Sequence, residues 1–181
     1  AALRIILSTL VLFPVLLLKK NRQHLENKKS TVFIVGVLNS AIPFLLFSYA
    51  ALTVSAGYMS IINGLTPLWA LFIAWIMFGQ AVKWNVLTGF VIGFVGVGFL
   101  MMDKLQGANS DSSLMGMFFV IIATLMYGLS ANITREKLSG IPALALSAAS
   151  LMGAAIVMLP VAIINWPKHE VSDTAWMALV M

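Results

Sequence analysis

Four uninterrupted apolar stretches, each long enough to cross a bilayer, constrain this chain more than anything else in it. They run over residues 31–52, 55–78, 114–134 and 143–165. At about 1.5 Å of rise per residue, about 20 helical residues cover a hydrocarbon core roughly 30 Å thick. Backbone facing that core must satisfy its own hydrogen bonds, so each stretch is expected to be a helix. Composition leads to the same class: 61% hydrophobic and 9% charged residues leave too little polar surface to coat a water-soluble globule. The predicted fold is all-α and integral to the membrane, a multi-span helical bundle. With no cysteine, disulfides and thiolate metal sites are excluded.

Two further apolar stretches, 1–18 and 86–102, bring the expected spans to six, and a seventh begins near Thr174. The chain opens on Ala1 inside one apolar run and stops at Met181 inside another, so it reads as a piece of a longer protein with at least one more span on each side. Alternate connectors fall on opposite faces of the membrane, and basic residues favour the cytoplasmic face. Lys19, Lys20, Arg22, Lys28, Lys29, Lys83, Arg135 and Lys137 fall on one side, against Lys104 and Lys168 on the other. That bias places the loops 19–30, 79–85 and 135–142 in the cytoplasm. The net charge of +5 therefore belongs mainly to membrane-facing loops, which suits anionic headgroups rather than nucleic acid.

An internal repeat follows. Residues 10–18 read LVLFPVLLL and residues 156–164 read IVMLPVAII, so that Val11, Pro14 and Val15 align with Val157, Pro160 and Val161. These are the first and sixth spans. Five crossings separate them, which forces the two copies to point in opposite directions. Inverted repeats are a recurring plan of secondary transporters, whose sites lie at mid-membrane between the halves.

The residues now resemble the EamA type of the drug/metabolite transporter superfamily. Ala2-Leu3-Arg4 matches the opening of the second helix, and Tyr49-Ala50-Ala51-Leu52 followed by Ser55-Ala56-Gly57 matches a tight hairpin between the third and fourth. Thr66-Pro67-Leu68 falls midway along the fourth, Gly89, Gly93, Gly96 and Gly98 mark the fifth, and Tyr127-Gly128 through Arg135 with Gly140-Ile141-Pro142 resembles the sixth and the approach to the seventh. The resemblance implies ten spans in two inverted five-helix repeats. Residues 1–102 would be the first repeat without its first helix, and 114–181 the second without its C-terminal part. One departure stands out: the family usually has Glu after the Gly that ends the fourth helix, and here Gly79 is followed by Gln80.

Several side chains are candidates for a substrate site. Arg4 is the sole ionisable group inside a span, placed to hold a carboxylate or phosphate through its bidentate fork, or to snorkel outward or pair with further helices. Ser60, Asn63 and Pro67 share a face at i, i+3 and i+7, and Pro67 denies an N–H to the Asn63 carbonyl. Asn39 and Pro43 repeat this at i and i+4. A helix broken in this way exposes carbonyls for a polar site, or is a kink packed by its neighbours. Tyr49, Trp69, Tyr127 and Ser150 complete the set, against the alternative that Ser and Thr hydroxyls merely bond their own helix. Gly89, Gly93 and Gly96 form a flat strip for close helix packing, against a neighbouring span or a second copy in a homodimer.

The function these features predict is a secondary transporter of small molecules. By resemblance it is an exporter of metabolites or amino acids in a cell inner membrane. It needs no nucleotide, since no phosphate-binding Gly-rich loop is present, and no cofactor is expected. His24 and His169 lie in predicted loops without the partners of a metal or catalytic site. The competing readings are a polytopic assembly subunit that transports nothing and an intramembrane enzyme, for which no nucleophile, base or metal cluster is visible within the spans.

Overall fold

A computed structural model describes residues 2–18, 25–81, 84–105 and 110–164. Trp166, Trp176, His24, His169 and the seventh apolar run lie outside the described residues. The elements are α1 (Ala2–Leu17), α2 (Lys29–Gly36), a π-helical turn (Val37–Ala41), α3 (Ile42–Ala50), α4 (Ala56–Asn63), α5 (Thr66–Phe78), α6 (Trp84–Leu105), α7 (Ser110–Lys137) and α8 (Ala143–Ile164). Among the described residues every regular element is helical.

Among the described residues four runs are long and apolar enough to cross a membrane: Lys29–Ala50, Ala56–Phe78, Leu114–Lys137 and Ala143–Ile164. Each begins and ends within three residues of the limits that hydropathy set. The other two expected spans are shorter apolar helices, Leu3–Leu17 and Trp84–Phe99. A short span is accommodated by local thinning of the bilayer at modest cost. Large apolar side chains such as Val11, Leu52, Ile92, Phe99 and Ile164 stay exposed. In water such surface would drive aggregation, whereas against lipid it is the expected exterior.

The chain packs as two units, Ile42–Ser139 and Ala1–Ala41 with Gly140–Met181. In the first, α7 is the axis, touching α3, α4, α5 and α6. Its residues Met117 and Val120 join Ala50, Val54, Ile62, Leu65 and Val97 in one buried cluster. Two glycines of α7 allow close approach: a Cβ on Gly116 would meet Thr53 and Val54, and one on Gly128 would meet Trp69 and the backbone of Ala70. The turn from α3 to α4 closes on the Ala50 carbonyl, which accepts from the N–H of Thr53 at 3.0 Å and of Val54 at 2.8 Å. Helix α5 stops at Gly79, whose φ of 62° is open to glycine at no steric cost, and the Gln80 N–H reaches back to the Ala74 carbonyl.

In the second unit α8 packs against both α1 and α2. Its buried face is almost all small: Ala145, Ala148, Ser150, Gly153, Ala154 and Ala155, closed by Met158. Small residues let backbones come together where no hydrophobic force separates helix from lipid. Accordingly Gly36 of α2 rests on the Ser150 carbonyl, and Gly153 faces Phe33. Pro14 and Pro160 both lie inside continuing helices of this unit, α1 and α8.

Candidate functional site

The long span Ala56–Phe78 is not one regular helix. It breaks after Asn63, where Gly64 (φ −59°, ψ −15°) and Leu65 (φ −73°, ψ −14°) keep right-handed but tightened backbone. The N–H of Gly64 donates to Ile61 at 3.0 Å and that of Leu65 to Ile62 at 2.9 Å, the short-range bonds of a 3₁₀ turn. Pro67 sits in the first turn of α5, where its missing N–H is one of the orphans in any case. The interruption expected around Pro67 thus falls two residues before it. Beside it, the Thr66 hydroxyl donates to Asn63 Oδ1 at 3.3 Å, and Ser60, Asn63 and Pro67 are all exposed.

One turn beyond the break is Trp69. Its ring meets Phe94 edge to face at 5.0 Å between centroids, and Phe72 and Phe90 surround it at 6.2 and 6.3 Å. The indole Nε1–H is buried and has no hydrogen-bond partner. Such a donor costs about 1–3 kcal/mol in desolvation when nothing accepts from it. Behind Trp69, α5 is held to α7 by Asn132, a residue that the sequence did not single out as a site. Its amide donates to the Ala70 carbonyl at 2.7 Å and to the Gly128 carbonyl at 2.9 Å. Gly128 and Asn132, spaced i and i+4, together bring α5 against α7, and that spacing of a small and an amide residue was the signal available.

The remaining candidates are divided between the units. Tyr49, Ser60, Asn63, Trp69 and Tyr127 belong to Ile42–Ser139, and Arg4, Asn39 and Ser150 to the other. Tyr127 is half-buried and stacks on Phe47 at 6.2 Å, while Tyr49 is exposed with its ring edge-on to Phe119 at 5.5 Å. Arg4 is exposed on α1. Asn39 is exposed within the π turn, which the chain forms just before the buried Pro43. A π turn is one way for a helix to absorb the clash and the lost bond that proline imposes, and such turns occur often at functional sites. Ser150 is buried and its hydroxyl donates to the Ser147 carbonyl at 3.1 Å, as Thr124 does to Ile121 at 2.7 Å. Both hydroxyls are thus bonded within their own helix.

In the glycine strip of α6, a Cβ at Gly93 would meet the Leu68 side chain, whereas Gly89 and Gly96 have open space. Among the described residues, close packing of the strip is therefore confined to Gly93. Gln80 bridges two side chains of α7: it accepts from Arg135 at 3.3 Å and donates to Glu136 at 3.1 Å. A glutamate could accept from Arg135 but would repel Glu136, so the amide suits this pair of opposite charges. Among the described residues no group of three His, Asp or Glu could hold a metal ion.

No curated protein and no solved structure matches this chain. The family description "EamA-like transporter family" matches residues 1–102, more than half of its length. That region takes in α1 to most of α6, including the broken span and Trp69, and the whole is a multi-pass bundle of apolar helices. The chain belongs to the EamA-like transporter family, membrane transporters of small molecules.

Proposed function

We propose that the protein is a secondary-active exporter of small metabolites or amino acids in a bacterial inner membrane, working by alternating access, and that it is not an enzyme. The observation that carries this reading is the Trp69 indole donor, buried without an acceptor one turn from a broken transmembrane helix. A transporter gains from such a group, because the cost of the unpaired donor is recovered when a substrate carbonyl or carboxylate arrives. Asn63 and Ser60 at the break supply further uncharged polar groups, and the surrounding Phe rings suit an organic solute. Two inverted five-helix repeats, over 1–102 and 114–181, belong to this reading. The interior prolines Pro14 and Pro160 at matching positions of α1 and α8 support it.

Proteoliposomes preloaded with an unlabelled amino acid or metabolite pool test the reading by counterflow of labelled solute. Saturable, trans-stimulated uptake above that of empty liposomes is the expected result. Flux indistinguishable from empty liposomes across amino acids, nucleobases and quaternary amines would leave an assembly subunit as the better reading. Trp69→Phe keeps the ring and removes the donor, and should raise the half-saturating concentration about two- to tenfold, the worth of one hydrogen bond.

A further inference from the structure

The unit formed by α1, α2 and α8 carries a groove of about 710 Å³. Its walls are apolar, with Phe13 and Leu17 from α1, Phe33 from α2, and Met152 and Ile156 from α8 among them; Lys29 and Ser30 are its polar members. Both sit at the start of α2, directly after a connector holding Lys19, Lys20, Arg22 and Lys28. The groove is deep in one direction. Its α8 wall runs from Ala149 to Ile156, about 10 Å of helix at about 1.5 Å per residue, and its α2 wall from Lys29 to Ile34, about 8 Å. One leaflet contributes about half of a 30 Å hydrocarbon core, so the groove covers about two thirds of one leaflet's depth. Its cation stands at the headgroup end and its oily walls at the acyl end. The walls follow from the helix packing: α2 and α8 touch at Gly36 and Ser150 and again at Phe33 and Gly153, and the last turns of α1 supply the third wall.

We infer that this groove binds an anionic phospholipid of the cytoplasmic leaflet, its phosphate on Lys29 and Ser30 and one acyl chain between α1, α2 and α8. Charge and shape choose the occupant. A water-soluble solute would gain little from walls so uniformly apolar, and the lysine at the end of a basic connector calls for an anionic head on an apolar body. A basic pocket between membrane helices at the cytoplasmic side is a recognised form of lipid headgroup site.

The chain, reconstituted in nanodiscs of phosphatidylglycerol or of phosphatidylcholine and released into detergent for native mass spectrometry, supplies the test. Retained phosphatidylglycerol at one lipid per chain, with phosphatidylcholine retained at least about fivefold less, is expected, because one lysine near an anionic surface is worth about that factor. Lys29→Gln should abolish the preference, and Ala149→Phe, which fills the acyl part, should reduce retention of both lipids. Lys29 is exposed, so its replacement leaves the helix packing intact. Equal retention of the two lipids would overturn the headgroup assignment. Retention of neither, with the groove protected by a second copy or by another helix of the chain, would overturn the lipid assignment altogether.

Discussion

Replacing Gly36 with alanine tests the helix contact on which the α1–α2–α8 unit depends. The added Cβ would run into the Ser150 carbonyl oxygen and stand 2.8 Å from its carbon, 0.6 Å short of the 3.4 Å at which ordinary contact begins. Neither partner can yield by rotating a side chain, because both obstructing atoms are backbone of α8. The helices must part, and Phe33 would lose its seat on Gly153 three residues away. Overpacking of this kind costs about 1–3 kcal/mol, and the rigid partner puts Gly36→Ala in the upper half, about 2–3 kcal/mol. Ser150→Ala is the control. Its hydroxyl bonds the Ser147 carbonyl within α8, so its loss should cost within about 1 kcal/mol and should not rescue Gly36→Ala. Equilibrium unfolding by SDS in mixed micelles, followed by tryptophan fluorescence, measures both. A Gly36→Ala protein within about 0.5 kcal/mol of the parent would refute the reasoning, since that is the range of substitutions that touch nothing.

Other substitutions probe the unit that holds the candidate site. Asn132→Ala removes the amide bond from α7 to the Ala70 carbonyl of α5 and the one to Gly128 within α7, and should cost about 1–2 kcal/mol in the same titration, membrane hydrogen bonds averaging about 0.6 and reaching about 1.7 kcal/mol each. Because Asn132 holds the strand of backbone that carries Trp69, the same variant should also weaken solute binding, read as a raised half-saturating concentration in counterflow. Gln80→Glu sets a carboxylate against Glu136 while keeping an acceptor for Arg135. Its stability should stay within about 1 kcal/mol of the parent at physiological salt, the range of exposed ion pairs, and should fall on lowering the salt if repulsion prevails.

The spans were legible because membrane burial imposes one unmistakable pattern, about 20 apolar residues in a row, and their ends came within three residues of the observed ones. The break in the second long span was legible in kind but not in position. Proline at 67 marks a helix start as readily as a helix kink, and here the first role prevailed, with Gly64 and Leu65 forming the turn. Gly79 as a helix stop was readable directly, since glycine is the residue that the left-handed cap favours. Contacts between helices were a different matter. Nothing along α6 distinguishes Gly93, which meets Leu68, from Gly89 and Gly96, which meet nothing, because that depends on which face turns toward α5. Asn132 and Gly36 owe their roles to backbone on distant segments, Ala70 and Ser150; the Gly128–Asn132 spacing hints at a contact, but local sequence does not name the partner. The unpartnered indole of Trp69 likewise emerges only when its neighbours are known.

The account rests on four crossings between the residue 19–30 loop and the residue 135–142 loop, the short helix Trp84–Phe99 included. Because the chain has no cysteine of its own, Glu26→Cys and Ser139→Cys can be introduced singly, both at exposed positions, and probed with a membrane-impermeant maleimide in intact cells and in inverted vesicles. The account predicts that both label only from the cytoplasmic face, while Gln106→Cys labels only from the other. Labelling of positions 26 and 139 from opposite faces would mean an odd number of crossings, and the inverted repeat and the alternating-access reading would fall together.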